Sequence, residues 1–281
     1  MTSSTRPRTA APSEPPAPGT AIYDSLAPVY DLLTAGYDHG RWLGALERLA
    51  LEHGLAGRRL LDVACGTGSS FLPLLLAGYE VTACDVSPAM AARAAQRANG
   101  RAAVRVADMR DLPRWGQFDL VTCLDDSINH LTDPLDVVAA LRGMRANLAP
   151  DGLLIFDVNA FAAYRAPGDH VVTDDDRLVA WRGGPAKLEA PGGIVEVVVE
   201  VFERVEGELW RHSRARQPHR HYPLAQIGEL VDRAGLRLVA TRGQRPGAVL
   251  DPVADEQVHT KVVVLASRDF RDLNANRREG T

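Results

Sequence analysis

Cysteine is scarce in this 281-residue chain. Its three cysteines, Cys65, Cys84 and Cys123, fall at or near the ends of apolar runs. They form no C-x-x-C pair and no His/Cys cluster at metal-ligand spacing, which argues against a disulfide scaffold or a zinc ribbon. They read as reduced core residues. No apolar stretch approaches the roughly 20 residues that a membrane span needs, and the N-terminus lacks the basic-then-apolar order of a signal peptide. A cytoplasmic protein is expected. Charge of one sign is lacking as well: 32 Lys plus Arg stand against 36 Asp plus Glu, a net of −4. No block of like charge could neutralise a run of phosphates, so neither nucleic acid nor membrane is an expected partner.

What is present is a 46% hydrophobic chain, long enough for one large core with an insertion. Residues 1–20 are Pro, Ala, Ser and Thr with almost nothing large and apolar, and are expected to form a disordered tail. From residue 21 to 168 the reading is N-terminal helices followed by the main part of an α/β domain. Trp42, Leu43, Leu46, Leu49 and Ala50 recur at helical spacing, with Gly54 placed to end that helix. Short apolar runs at 59–64, 80–85, 103–106, 118–124 and 153–158 then alternate with helical segments, including one opened by Ser87-Pro88 as N-cap and first helical residue. Buried strands alternating with amphipathic helices imply a parallel sheet covered on both faces. Residues 169–222 change pattern to half-exposed alternating strands between Gly-rich turns, Gly183-Gly184 among them, and are read as an inserted antiparallel β lid. Residues 223–268 return to the α/β domain, and 269–281 read as a flexible tail.

The most informative stretch is Leu60-Leu-Asp-Val-Ala-Cys-Gly-Thr-Gly-Ser69, a strand entering a glycine turn that opens a helix. Gly66 and Gly68 let the backbone turn tightly and approach a ligand. A dinucleotide fingerprint wants a third glycine at position 71, where this chain has Phe71, and residues 62–79 contain no Lys or Arg for a phosphate. A nucleoside without phosphates fits better, and Asp62 beside the turn suits a ligand carrying an ammonium and a sulfonium. Asp85 ends the next strand, where a carboxylate can accept from both ribose hydroxyls. Asp108-Met109 follows the third strand, a carboxylate able to accept from an adenine amino group beside a thioether able to lie on the ring.

The segments Leu61–Gly68, Val81–Met90, Ala107–Met109 and Phe118–Leu124, with Tyr23-Asp-x-x-Ala-x-x-Tyr-Asp31, resemble successive motifs of class I S-adenosylmethionine-dependent methyltransferases. The resemblance is to glycine N-methyltransferase and bacterial aminosugar N,N-dimethyltransferases in particular, and it runs from about Tyr23 to Ala266. It implies a Rossmann-like, doubly wound sheet of seven strands, the last antiparallel, with S-adenosylmethionine as cofactor. The implied cofactor contacts are Gly66 and Gly68 under the methionine moiety, Asp85 at the ribose, Asp108 and Met109 at the adenine, and the Leu124 backbone at the methionine amino group. Asp62, Ala64 and Val86 are counted with them. Tyr23 and Tyr30 match a pattern that folds over the cofactor in these relatives; as residues alone they read equally as helix-packing aromatics.

Methyl transfer asks the protein to position a nucleophile and to take at most one proton. The segment Leu124-Asp-Asp-Ser-Ile-Asn-His-Leu131 puts Asp125, Asp126 and His130 just beyond the expected methionine end. The resemblance implies substrate contacts there. Asp126 and His130 are the catalytic candidates and Asp125 a substrate contact, although the resemblance has a glycine at position 125. The alternative for His130 is a satisfied core residue beside a capped turn. In His219-Arg-His-Tyr222, strand alternation puts His219 and His221 on one face and Arg220 and Tyr222 on the other. His221 and Tyr222 are taken as substrate candidates. Zinc on the two histidines lacks further ligands at suitable spacing, so no metal is expected. The leading reading is N- or O-methylation of a small, secondary-metabolite acceptor, with self-association into a homodimer left open. Its rivals are a nicotinamide-dependent oxidoreductase and a non-catalytic cofactor-binding regulator.

Overall fold

The computed structural model describes residues 20–165, 169–182 and 188–268. The expected tails, apart from Thr20, and the Gly183-Gly184 turn lie outside the described residues. In chain order the elements begin with α1 (Thr20–Leu26), α2 (Tyr30–Leu33) and α3 (His39–Glu52). The alternating unit follows: β1 (Arg59–Val63), α4 (Leu72–Leu76), β2 (Glu80–Asp85), α5 (Pro88–Ala98), β3 (Ala102–Val106), β4 (Phe118–Cys123), α6 (Pro134–Asn147), β5 (Leu148–Asn159) and α7 (Phe161–Arg165). Then come β6 (Asp169–Thr173), β7 (Arg177–Arg182), β8 (Ile194–Glu206), β9 (Leu209–Arg220), α8 (Leu224–Arg233), β10 (Arg237–Arg245), β11 (Val249–Asp251) and β12 (Lys261–Ser267).

Local chemistry accounts for the helix starts. The Asp38 side chain accepts from Arg41 N, Ser87 from Met90 N and Asp133 from Leu135 N, with Pro at the first helical position of α5 and α6. Gly54 ends α3 at φ +95°, a conformation a Cβ resists. The helix that the glycine turn was expected to open starts at Leu72, because the residues before it are used in turns.

The main sheet is Rossmann-like, in the order β11-β10-β12-β5-β4-β1-β2-β3. Strands β3, β2, β1, β4 and β5 run parallel, and β12 is antiparallel to β5, as the resemblance implies. It has eight strands rather than seven. The addition, β11, is a three-residue edge too short to leave a pattern in the sequence. Successive residues feed opposite cores: Leu61, Val264 and Ala266 pack with α6 and α8, while Leu60, Val263 and Leu265 pack with α3 and α5.

The insertion is an antiparallel meander, β6-β7-β8-β9, and its first strand was not evident from the residues. It docks rather than standing free. Val179, Val199 and Val201 pack against Leu26, Ala27, Val29 and Met90, which joins the lid, α1 and α5 into one apolar cluster. Among the described residues, no helix is long and apolar enough to cross a membrane.

Candidate active site

The strand order reverses between β1 and β4, and ligands of such sheets bind in the crevice beyond the carboxyl ends at that point. A cavity opens there. From the sheet it is lined by Ala64 and Gly66 after β1, Asp85 and Val86 after β2, Asp108 and Met109 after β3, and Asp125 and His130 after β4. Tyr23 and Tyr30 line it from the N-terminal helices. Five segments distant in sequence thus converge on one space.

Asp85 is buried and accepts from Gly66 N at 2.8 Å and from Ser87 N at 2.9 Å. Burial raises its pKa, and the two backbone donors oppose that. A carboxylate has about four lone-pair sites, so acceptor capacity remains. A Cβ on Gly66, at φ +53°, would sit 3.6 Å from the Tyr30 ring, so the turn and the aromatic form a close cradle. Asp108 is partly spent: Arg110 donates to both of its oxygens, and against the effect of burial holds the carboxyl below its usual range. Arg97, the cation beside the glycine turn, is engaged by Asp31, Thr67 and Ser69.

Six expected site residues do not line the cavity. Asp62 is fully buried, accepting from the Ser70 hydroxyl and, at 2.7 Å, from the Thr122 hydroxyl. It ties the glycine turn to β4, and burial pushes its pKa up to about 7. Gly68 faces Phe71, whose ring would lie 3.0 Å from an added Cβ, so its glycine serves packing. Leu124 is buried with its carbonyl taken by the Ser127 hydroxyl. Asp126 lies behind the wall, between Lys261 and His219. Tyr222 is fully buried and donates to the Leu131 carbonyl. His221 accepts from Gly192 N at 3.1 Å, which leaves Nε2–H to donate to Glu256 Oε1, also at 3.1 Å. The face expected to carry both histidines fails because β9 ends at Arg220, before the period of two can reach His221 and Tyr222.

Beside the turn after β4, the Tyr23 hydroxyl lies 2.8 Å from His130 Nε2. Burial, and next the His219 imidazole, push the His130 pKa well below its usual value, so it is neutral at pH 7. His219 meets it edge to face at 4.2 Å between centroids, and Gln217 from the same strand lines the cavity. Neither His219 nor Gln217 was singled out for the site. Their strand spacing to a residue on another element leaves no mark in the sequence.

Asp125 and Asp126 both adopt positive φ, 57° and 53°, a conformation that glycine would adopt without strain. The turn is held from below by buried Asp157, which accepts from Asp125 N at 3.0 Å and Asp126 N at 2.6 Å. Lys261 Nζ lies 3.1 Å from Asp157 and 3.5 Å from Asp126, and His39 lies 3.2 Å from Asp125. Burial pushes Asp157 up to about 6 against the pull of Lys261. Although burial disfavours the Lys261 charge, the carboxylates hold its pKa well above its usual range.

Residues 60–152 match the methyltransferase domain family. YqeM of Bacillus subtilis (strain 168), described as a methyltransferase without a stated acceptor, is 29% identical over 224 residues, 77% of this chain and 87% of that protein. The dTDP-3-amino-3,6-dideoxy-alpha-D-glucopyranose N,N-dimethyltransferase of Streptomyces fradiae is 34% identical over 145 residues, 51% of this chain and 56% of that one. Among solved structures, an S-adenosylmethionine-dependent methyltransferase from Clostridium acetobutylicum ATCC 824 shares the fold, with a TM-score of 0.72 at 22% identity, covering 88% of this chain and 98% of that one. The sheet is Rossmann-like, and the matched segment, residues 60–152, carries its strands β1 to β4. Over part of its length this chain resembles glycine/sarcosine N-methyltransferases and a sugar N,N-dimethyltransferase, and residues 60–152 resemble the methyltransferase domain family. The donor set fits S-adenosylmethionine: a carboxylate with spare acceptor capacity, a thioether, and a glycine cradle whose neighbouring cation, Arg97, is engaged by Asp31, Thr67 and Ser69.

Proposed function

We propose that this chain transfers a methyl group from S-adenosylmethionine to an amine nitrogen of a small molecule, as a step in secondary metabolism. The observation that carries this reading is the Tyr23–His130 pair in the cavity wall, an imidazole held neutral beside a phenol. In this reading Asp85 holds the ribose, Met109 lies against the adenine, and Ala64 and Gly66 pass under the methionine moiety. Tyr30 closes over them. Bound there, the cofactor supplies a methyl carbon already activated by its sulfonium.

The rest is done by the chain. An amine must be neutral to attack, and its ammonium form predominates at pH 7. His130 takes the proton or accepts the hydrogen bond that orients the neutral nitrogen, and Tyr23 fixes the ring. Nitrogen is favoured over oxygen because relatives such as the Streptomyces fradiae protein are named for N-methylation of an amino sugar.

His130→Ala should retain affinity for S-adenosylhomocysteine while turnover falls by about 10²-fold or less, since positioning and the activated sulfonium remain. Calorimetry and a labelled-methyl assay from about pH 6 to 9, run with matched amine and hydroxyl acceptors, make the test. A variant with unchanged rate and pH profile removes His130 from the chemistry. Label appearing only in hydroxyl acceptors rejects nitrogen.

A further inference from the structure

His130 has neighbours that methyl transfer does not use. Asp126, His130 and His219 each place one ligand-type atom within 4.8 Å of those of the other two. His219 is 2% exposed. His130 Nδ1 and His219 Nε2 are both buried without a hydrogen-bond partner among the described residues. Buried polar groups are paired as a rule, and a bare Nδ1 on His130 beside the Asp126 and His219 donors marks a place where an added partner would satisfy it.

We propose that Asp126, His130 and His219 form a binding site for a divalent first-row transition metal ion, of the Zn²⁺ type, in the wall of the cavity. Two imidazoles and one carboxylate are a ligand set for zinc, cobalt or iron rather than for magnesium or calcium. Shifts on the order of 1 Å would bring the three donors to the roughly 2.0–2.2 Å that such ions require. The surroundings are already arranged for it. With His130 Nε2–H donating to the Tyr23 hydroxyl, Nδ1 presents its lone pair, the outer-shell pattern of metal-bound histidines. Asp126 divides its oxygens, Oδ1 toward Lys261 at 3.5 Å and Oδ2 toward Nδ1 of His219 at 3.8 Å. The Lys261 charge is shared with Asp157 and Asp125, which limits its repulsion of a cation. Gln217, two residues before His219 on β9, adds an unpartnered oxygen at the cavity. Consideration of His219 with His221 finds too few ligands. The partners of His219 come from the turn after β4.

Metal binding at this site does not depend on the amine reading. Its consequence does: with Nδ1 on the ion, His130 cannot accept a proton, so loaded protein should methylate amines more slowly and recover with chelator. The test uses the untagged full chain, stripped with chelator and titrated with Co²⁺. Saturable visible absorption of imidazole-bound Co²⁺, displaced by Zn²⁺, is expected. His130→Ala and His219→Ala should each lose more affinity than the roughly 10- to 100-fold typical of outer-shell changes. Asp126→Asn, which keeps the shape, should weaken binding as well, and His221→Ala should not; melting curves identify any variant that has not folded. No saturable Co²⁺ signal in the wild type overturns the site, as does its persistence in both folded cavity-histidine variants or its loss in folded His221→Ala. Metal binding without cofactor binding would leave this site standing and sink the methyl-transfer reading.

Discussion

Asp85 and Asp62 carry the same functional group on adjacent strands and do opposite work. Asp85 keeps free lone pairs at the cavity, so Asp85→Ala should weaken S-adenosylhomocysteine binding by roughly 1–3 kcal/mol through loss of charge-assisted hydrogen bonds. Calorimetric titration of the variant measures it, and an unchanged Kd rejects the ribose assignment. Asp62 faces inward, and its carboxyl is pushed from the ordinary range to about 7. A carboxyl raised on folding binds its proton more tightly in the native state, so its contribution to stability is complete below about pH 4 and is lost as pH rises toward 7. Asp62→Asn should flatten that part of the stability profile between about pH 4 and 7. Urea unfolding of both proteins across this window checks the sign, and parallel profiles would show that Asp62 is not the titrating group. Phe71 belongs at this scale too. Fully buried against Gly68, it occupies the space a dinucleotide-binding turn keeps for glycine.

The turn after β4 carries Asp125 and His130 to the cavity. Two consecutive aspartates with positive φ are unfavourable on their own, and they persist because Asp157 accepts both of their N–H groups. Lys261 at the start of β12 neutralises the group of carboxylates this creates. Lys261→Ala leaves buried carboxylates uncompensated and should destabilise the fold by about 3–5 kcal/mol at pH 8. The loss should shrink at pH 5, because Asp157, already raised to about 6, is then protonated. Chemical denaturation at the two pH values reads the difference. Equal losses at both would mean that packing of the lysine stem, not charge, is what matters.

At the scale of the molecule, the lid, the N-terminal helices and the sheet meet through one apolar cluster, and Tyr23 and Tyr30 reach the cavity only because it is packed. Leu26 is 1% exposed within that cluster. Leu26→Ala should cost about 2–5 kcal/mol through the cavity it leaves. It should also weaken S-adenosylhomocysteine binding, although Leu26 does not line the site. Thermal melts with and without the ligand separate the effects: full ligand-induced stabilisation in the variant would show that the helices close without this packing.

Much of the protein was legible in its sequence because the signals were local. Strand alternation, the Ser87-Pro88 start, the glycine turn and the carboxylate ending β2 depend on residues within a few positions of one another, and physical constraints on short peptides suffice to read them. The cavity-lining places of Gly66, Asp85, Met109 and His130 follow from parallel strands ending on one edge. The direction a polar side chain takes when several are within reach is decided by distant residues. Asp62 turns inward because Ser70 and Thr122 offer hydroxyls, Asp126 turns to Lys261, and His219 rather than His221 meets His130 because β9 stops at Arg220. Those outcomes belong to the tertiary structure, since the energy that separates them lies in contacts between segments that the chain brings together only by folding.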